Sequence, residues 1–170
     1  MIFLIKRPSF CAALLGLLLS TSTLAGAMEA DEASIKRGEY LARVAGCNDC
    51  HTAAYPEEAG NIPKSQWLMG VIIGFQGPWG TSYPANLRLY VANMDEQQWL
   101  ARARLPMLPP MPWFALRDMT DEDLLAIYHF VRSLGPAGEP MPAAGAPDQP
   151  VSTPYYEFVP KNLPSHAVTH

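Results

Sequence analysis

The stretch Cys47-Asn48-Asp49-Cys50-His51 sets two thiols and an imidazole at the C-x-x-C-H spacing. Two cysteines three positions apart on a helical turn project to one side, so both sulfurs can add to the two vinyl groups of one porphyrin. His51 follows at once, which places its ring under the porphyrin iron, and imidazole nitrogen suits iron well. One short segment thus predicts both a covalent tether and a proximal ligand for a single haem c.

The other uses of a C-x-x-C pair need partners that this chain lacks. A zinc site wants a second ligand pair, and the remaining candidates are Cys11 and the scattered His129, His166 and His170. A thioredoxin-like dithiol would follow a strand within a βαβ pattern, whereas the residues before Cys47 read as helical and no such pattern follows.

Outward from the motif, the N-terminus carries Lys6 and Arg7, an apolar run from Phe10 to Leu19 and the small residues Ala25-Gly26-Ala27. This pattern predicts a secretory signal peptide over residues 1–27, cut after Ala27, and therefore a periplasmic address. The apolar run is short for a bilayer, so the mature chain has no membrane span unless the leader is kept as an anchor. With 12 Lys and Arg against 16 Asp and Glu the net charge is −4, and loss of Lys6 and Arg7 takes it to −6. So acidic a chain does not read as a nucleic-acid binder.

Residues 28–135 are expected to form one all-α domain of three to four short helices and long loops around the haem. With 17 prolines and 12 glycines the chain breaks regular structure often, and a bound haem can serve as the centre of such a core. A first helix is predicted from Ser34, as N-cap, to Asp49, with Ile35, Tyr40, Leu41 and Val44 at helical spacing. A second covers Asp95 to Arg104, started by a capping-box-like Asn93 and Glu96, with Trp99, Leu100 and Ala103 as its apolar stripe. The third begins at the cap Thr120 and loads its first turn with Asp121, Glu122 and Asp123 against the helix dipole. Its apolar face is Leu124, Leu125, Ile127, Tyr128, Val131 and Leu134, and Gly135-Pro136 ends it.

Between His51 and the second helix, Trp67, Phe75, Trp79, Tyr83 and Tyr90 lie among glycines and prolines. Aromatics there can wall the haem, and Trp or Tyr can hydrogen-bond a propionate. Residues 136–170 form a proline-rich extension, expected to be extended and poorly ordered alone. Within it the cluster Tyr155-Tyr156-Glu157-Phe158-Val159 is suited to docking, either on the body or on a partner.

The haem motif demands a distal answer. A thioether sixth ligand keeps iron six-coordinate and raises its potential relative to a second imidazole. Among Met69, Met94, Met107, Met111, Met119 and Met141, the leading candidate is Met111, in Pro109-Pro110-Met111-Pro112-Trp113, where prolines stiffen the loop before the last helix. Met107, in Pro106-Met107-Leu108-Pro109, is the rival. Met119 has a packing job as a staple on Leu124. His129 would give bis-histidine ligation, but its helical position points it toward solvent.

The helix containing Gly38-Glu39-Tyr40, the haem motif, the Pro110-Met111-Pro112-Trp113 loop and the Asp121–Leu134 helix together resemble a class I mono-haem cytochrome c domain over about Ser34 to Gly135. More narrowly, Trp79-Gly80-Thr81-Ser82-Tyr83-Pro84-Ala85-Asn86-Leu87 and Met119-Thr120-Asp121-Glu122-Asp123 are similar to segments in cytochrome subunits of membrane-associated alcohol and aldehyde dehydrogenases. The resemblance implies that the first and last helices cross with Gly38 or Tyr40 meeting Tyr128. It also implies that Met111 is the distal ligand and that a carbonyl soon after the motif, at Pro56, orients His51. The chain departs from those subunits in having one haem motif where they often have three, and in its proline-rich extension.

The function expected is one-electron transport rather than catalysis. His51 and Met111 would ligate the iron, while Cys47 and Cys50 hold the porphyrin. A dehydrogenase or quinol-oxidising complex would be the donor, and an oxidase or reductase the acceptor. Two alternatives stand beside it: a five-coordinate haem protein binding a small gas, and a non-diffusing subunit fastened to a larger complex through its extension.

Overall fold

The computed structural model describes residues 32–162, so the expected leader, Cys11, His166 and His170 lie outside the described residues. Six helices carry this part: α1 over residues 32–44, α2 Cys47–His51, α3 Leu87–Ala92, α4 Glu96–Ala103, α5 Trp113–Asp118 and α6 Asp121–Ser133. Three short strands, β1 Gly74–Gly77, β2 Gly80–Ser82 and β3 Tyr155–Glu157, form a sheet in the order β2-β1-β3. Among the described residues no helix is long and apolar enough to cross a membrane.

The core is the crossing of α1 and α6, as the sequence leads one to expect, but at different residues. Gly38 is buried against Ala126 and Phe130, where an added Cβ would lie 1.9 Å from the Ala126 carbonyl oxygen. Only a residue without a side chain lets the two backbones come so close. Tyr40 is 55% exposed and does not take part. The buried seam of α1 is Gly38, Leu41 and Ala42, spaced i, i+3, i+4, whereas Val44 is exposed. On α6 the buried set is Leu124, Ala126, Ile127, Tyr128, Phe130 and Val131.

Capping decides where the helices start. Thr120 Oγ1 accepts from the Asp123 amide at 3.1 Å, as its position predicts. Helix α4 is capped by Asp95, not Asn93: the Asp95 carboxylate accepts from the Gln98 amide while Gln98 Oε1 accepts from the Asp95 amide. Ser34 is not a cap, because α1 already runs through residues 32 and 33. Its hydroxyl shares a hydrogen bond with His129 Nδ1, and His129 Nε2 donates to Glu96.

Two arginines hold the corners. Arg88 donates to the carbonyls of Ser65, Leu134 and Gly135, which ties α3 to the C-terminal end of α6. Arg104 donates to the carbonyls of Leu116, Arg117 and Met119 and pairs with Asp121, fixing the turn from α5 into α6.

The proline-rich extension lies on the body. Asn86 Nδ2 donates to the carbonyls of Ala137 and Glu139, Gly145 bridges Thr81, and β3 runs parallel to β1 with Phe75 opposite Tyr156. Phe75 stacks on Tyr156, and Phe158 packs against Phe75 and Trp79. Of the two destinations open to the Tyr155–Val159 cluster, the structure shows the body.

Candidate haem site

The helix predicted to run unbroken into the motif stops at residue 44. Gly46 adopts φ 72°, a left-handed conformation that suits glycine, and turns the chain so that α2 begins at Cys47. The first of the two motif residues between the cysteines, Asn48, faces inward and is fully buried. Thr52 Oγ1 donates to Asn48 Oδ1 at 2.7 Å and accepts from the Leu68 amide at 2.8 Å, while the Gly70 amide donates to the His51 carbonyl. These bonds pin the underside of α2 and leave Cys47, Cys50 and His51 on the wall of one cavity.

His51 is oriented by Ala85, not by Pro56. Its Nδ1 lies 2.7 Å from the Ala85 carbonyl oxygen, which can only accept, so Nδ1 carries the proton. The carbonyl of Pro56 instead accepts from the Ala59 amide within a local turn. Burial lowers the His51 pKa below its ordinary 6.5, against the opposing pull of the Ala85 carbonyl. A neutral ring with Nδ1 protonated presents an unshared pair at Nε2, the form in which histidine ligates a metal. Burial also pushes the Cys47 thiol up to about 11 and raises that of Cys50.

The cavity has a volume of about 320 Å³ and a largely apolar wall drawn from α2 to α6, the loops between them and the extension. Met107, Met111 and Met119 all line it, each half-buried. Met119, expected only as a staple, therefore joins the other two at the wall. Met111 and Met107 both sit on the loop between α4 and α5, which Ser82 Oγ ties to β2 by donating to the Pro109 carbonyl. Pro142 and Ala144 of the extension complete one side. His129 is not among the lining residues, in keeping with its outward position.

Of the loop aromatics, Phe75, Tyr83 and Tyr90 reach the cavity, whereas Trp67 and Trp79 do not. The indole N–H groups of those two donate to the carbonyls of Ile62 and Phe75. Trp99, read from the sequence as packing alone, lines the cavity too, with its indole N–H donating to the Leu124 carbonyl. Arg102 was not singled out in the sequence, and it also lines the wall. An arginine next to the last residue of an amphipathic helix looks like surface, and only the fold shows it at the cavity wall.

Comparison with known proteins agrees with this geometry. The cytochrome c family model matches residues 35–135. The chain belongs to the cytochrome c family. Among curated proteins, this cytochrome is 30% identical over 147 residues to the cytochrome c subunit of a quinone alcohol dehydrogenase from Gluconacetobacter polyoxogenes, covering 79% of this chain and 29% of that subunit. It is 28% identical to the gluconate 2-dehydrogenase cytochrome c subunit of Pantoea cypripedii, over 74% of this chain and 30% of the relative. The fructose dehydrogenase cytochrome subunit of Gluconobacter japonicus is 29% identical over 67% of this chain and 24% of its own length. The cytochrome thus spans less than a third of these relatives. No solved structure matches it.

Membership implies a covalently bound haem c and electron transfer rather than catalysis by this chain. The residues present fit the group. The wall is apolar, His51 is held in its metal-binding tautomer, and three thioethers are at hand. A buried guanidinium nitrogen, Arg102 Nη1, has no partner on the protein.

Proposed function

We propose that this cytochrome is a periplasmic one-electron carrier whose single haem c is joined to Cys47 and Cys50 and ligated by His51 and Met111. The haem, when bound, supplies a reversible ferric–ferrous couple. The protein's part is to fix the ligands, so that the iron keeps its coordination between the two states and little rearrangement slows the electron. His51 offers Nε2, because the Ala85 carbonyl claims the proton at Nδ1. Met111 offers its sulfur from a loop stiffened by Pro109, Pro110 and Pro112. Cavity walls drawn from α2, α3, α4, α5, α6 and the extension surround the site with largely apolar side chains.

The observation that carries this reading is the convergence of Cys47, Cys50, His51 and Met111 on one cavity. The domain proposed spans residues 28–135, preceded by a cleaved leader over 1–27 and followed by the docked extension from 136. The charged, apolar and small-residue order of the leader supports the periplasm. A quinone-linked dehydrogenase is the donor favoured by the relatives, and an oxidase or reductase would accept the electron.

The distal assignment is tested on purified holoprotein by the near-infrared charge-transfer band of a methionine sulfur on ferric iron. We expect the band to vanish in Met111→Ala and to persist in Met107→Ala and Met119→Ala. Its loss in either of the latter, with Met111→Ala unchanged, would reassign the ligand. Rapid binding of carbon monoxide to the untreated ferrous protein would replace the carrier with the gas-binding alternative.

A further inference from the structure

His51 is gripped from two sides by backbone that belongs to loops. Its carbonyl accepts from the Gly70 amide at 2.8 Å, and its Nδ1 donates to the Ala85 carbonyl at 2.7 Å. The two stretches are joined to each other, since the Val71 amide donates to the Pro84 carbonyl and the Leu87 amide to the Leu68 carbonyl. Residues 68–71 and 84–86 lie in no helix or strand. Backbone of that kind moves more readily than regular elements unless something braces it.

The extension supplies the brace. Asn86, buried beside Ala85, donates from Nδ2 to the carbonyls of Ala137 at 2.8 Å and Glu139 at 3.2 Å, while its Oδ1 accepts from the Leu89 amide and caps α3. Gly138, between the two acceptors, adopts φ 73°, and a Cβ there would lie 3.1 Å from Asn86 Nδ2. Met141 presses on the other stretch. At Gly70, with φ 80°, an added Cβ would lie 2.5 Å from Met141 Cγ and 2.8 Å from both the Asn86 nitrogen and the Pro84 oxygen. Gly70 is thus clasped between the extension and residues 84–86. Arg88, donating to the Gly135 carbonyl, and the bridge from Gly145 to Thr81 fix the two ends of this strap. The cytochrome c family match ends at residue 135, so the bracing segment lies outside it. Resting on the reading that His51 ligates a haem iron, we propose that Asn86 is a positioning residue for His51, and that the extension segment it holds, 137–141, fixes the Ala85 carbonyl against Nδ1.

The brace has an electrical consequence. A carbonyl held at Nδ1 makes the imidazole more basic and a stronger donor at Nε2, which favours ferric iron. Loosening it raises the potential. Water entering past Pro142 and Ala144 would do the reverse, because solvent in place of an apolar wall favours the more highly charged ferric centre. The sign of the change therefore separates a lost brace from a leaking wall. A partner that drew the extension away would raise the potential in the same way as a broken brace.

Asn86→Ser in the purified holoprotein tests the assignment. Serine keeps an oxygen for the Leu89 amide and so preserves the cap, but its short side chain cannot reach both the Ala137 and Glu139 carbonyls. The readouts are the midpoint potential and the solvent exchange of the His51 Nδ1 proton, followed by NMR in the ferrous protein. We expect that exchange to quicken about tenfold as the carbonyl loosens. The ferric-to-ferrous ratio at a fixed potential should fall about threefold, equivalent to about 28 mV for one electron. Met141→Ala, which leaves Asn86 intact, should move both readouts a smaller distance in the same direction. A tie that is merely structural would lower the thermal midpoint alone, so wild-type potential and exchange in the Asn86→Ser holoprotein overturn the proposal. A fall in potential, or a shift without quicker exchange, overturns it as well. Should Asn86→Ser fail to accumulate, wild-type readouts in Met141→Ala overturn it instead. Each of these results leaves the covalent haem standing, whereas a wild-type protein without bound haem would remove the reading beneath the proposal.

Discussion

At Gly38 an added Cβ would sit 1.9 Å from the Ala126 carbonyl oxygen and 2.7 Å from Phe130 Cβ. Neither is the flexible end of a side chain, so the two helices would have to separate. Gly38→Ala should therefore destabilise the holoprotein by at least the ~1–3 kcal/mol typical of overpacking, read as a lower denaturant midpoint. A midpoint within 0.5 kcal/mol of wild type, at about the size of a neutral surface substitution, would contradict the close crossing. The sequence made Gly38 legible as a contact but not its neighbours: Ala126 and Phe130, four apart, share one face of α6, and Tyr128, two positions from each, lies on another. The partner of His51 was beyond reading. Ala85 reaches the ring across a separation of 34 residues that no local periodicity describes. That Cys47, Cys50 and His51 share one cavity wall was legible because the three are near neighbours in the chain, whereas the place of Arg102 depends on which way one helix face turns.

Among the elements, α6 was read almost to its ends because three local signals agree: the Thr120 cap, the acidic first turn and Gly135 after it. Thr120→Ala should cost about 1 kcal/mol in chemical denaturation, and no loss would mean that the cap bond is not made in solution. Helices α3 and α5 were missed because six residues are too few for periodicity to speak, although Asn86 caps α3 by accepting from the Leu89 amide. The break at Gly46 was missed for the same reason. The loop after the motif is held to α1 by Glu39, whose carboxylate pairs with Lys64 and Arg43. The Lys64 hydrogen bond foremost, with both positive charges, holds the Glu39 pKa below its ordinary 4.5. The pair therefore stabilises the fold above that value, and the contribution fades as the pH falls through the depressed value. In Glu39→Gln the loss of stability between neutral and acid pH should be smaller than in wild type. An equal loss would show the pair to be inert, as many exposed pairs are.

The whole molecule is a helical haem domain with its extension wrapped back on it, and that wrapping was the least legible feature. Proline-rich composition argues for an extended chain but does not say where it lies, and the parallel pairing of β3 with β1 joins residues some eighty positions apart. Ending the chain after Gly135 removes the acceptors of Asn86, the third strand and the Pro142 and Ala144 side of the cavity. Such a truncation should lower the thermal midpoint of the holoprotein and speed amide exchange at Gly74, which donates to Pro154. Unchanged exchange there would show that the extension does not rest on the body in solution. All of these effects presuppose a porphyrin bonded to the motif. The most direct measurement is the mass of the acid-denatured holoprotein, with fragmentation of the peptide spanning residues 47–51. The account predicts one haem added to the chain and retained on that peptide, whereas a bare polypeptide whose pigment extracts into acid acetone would contradict it.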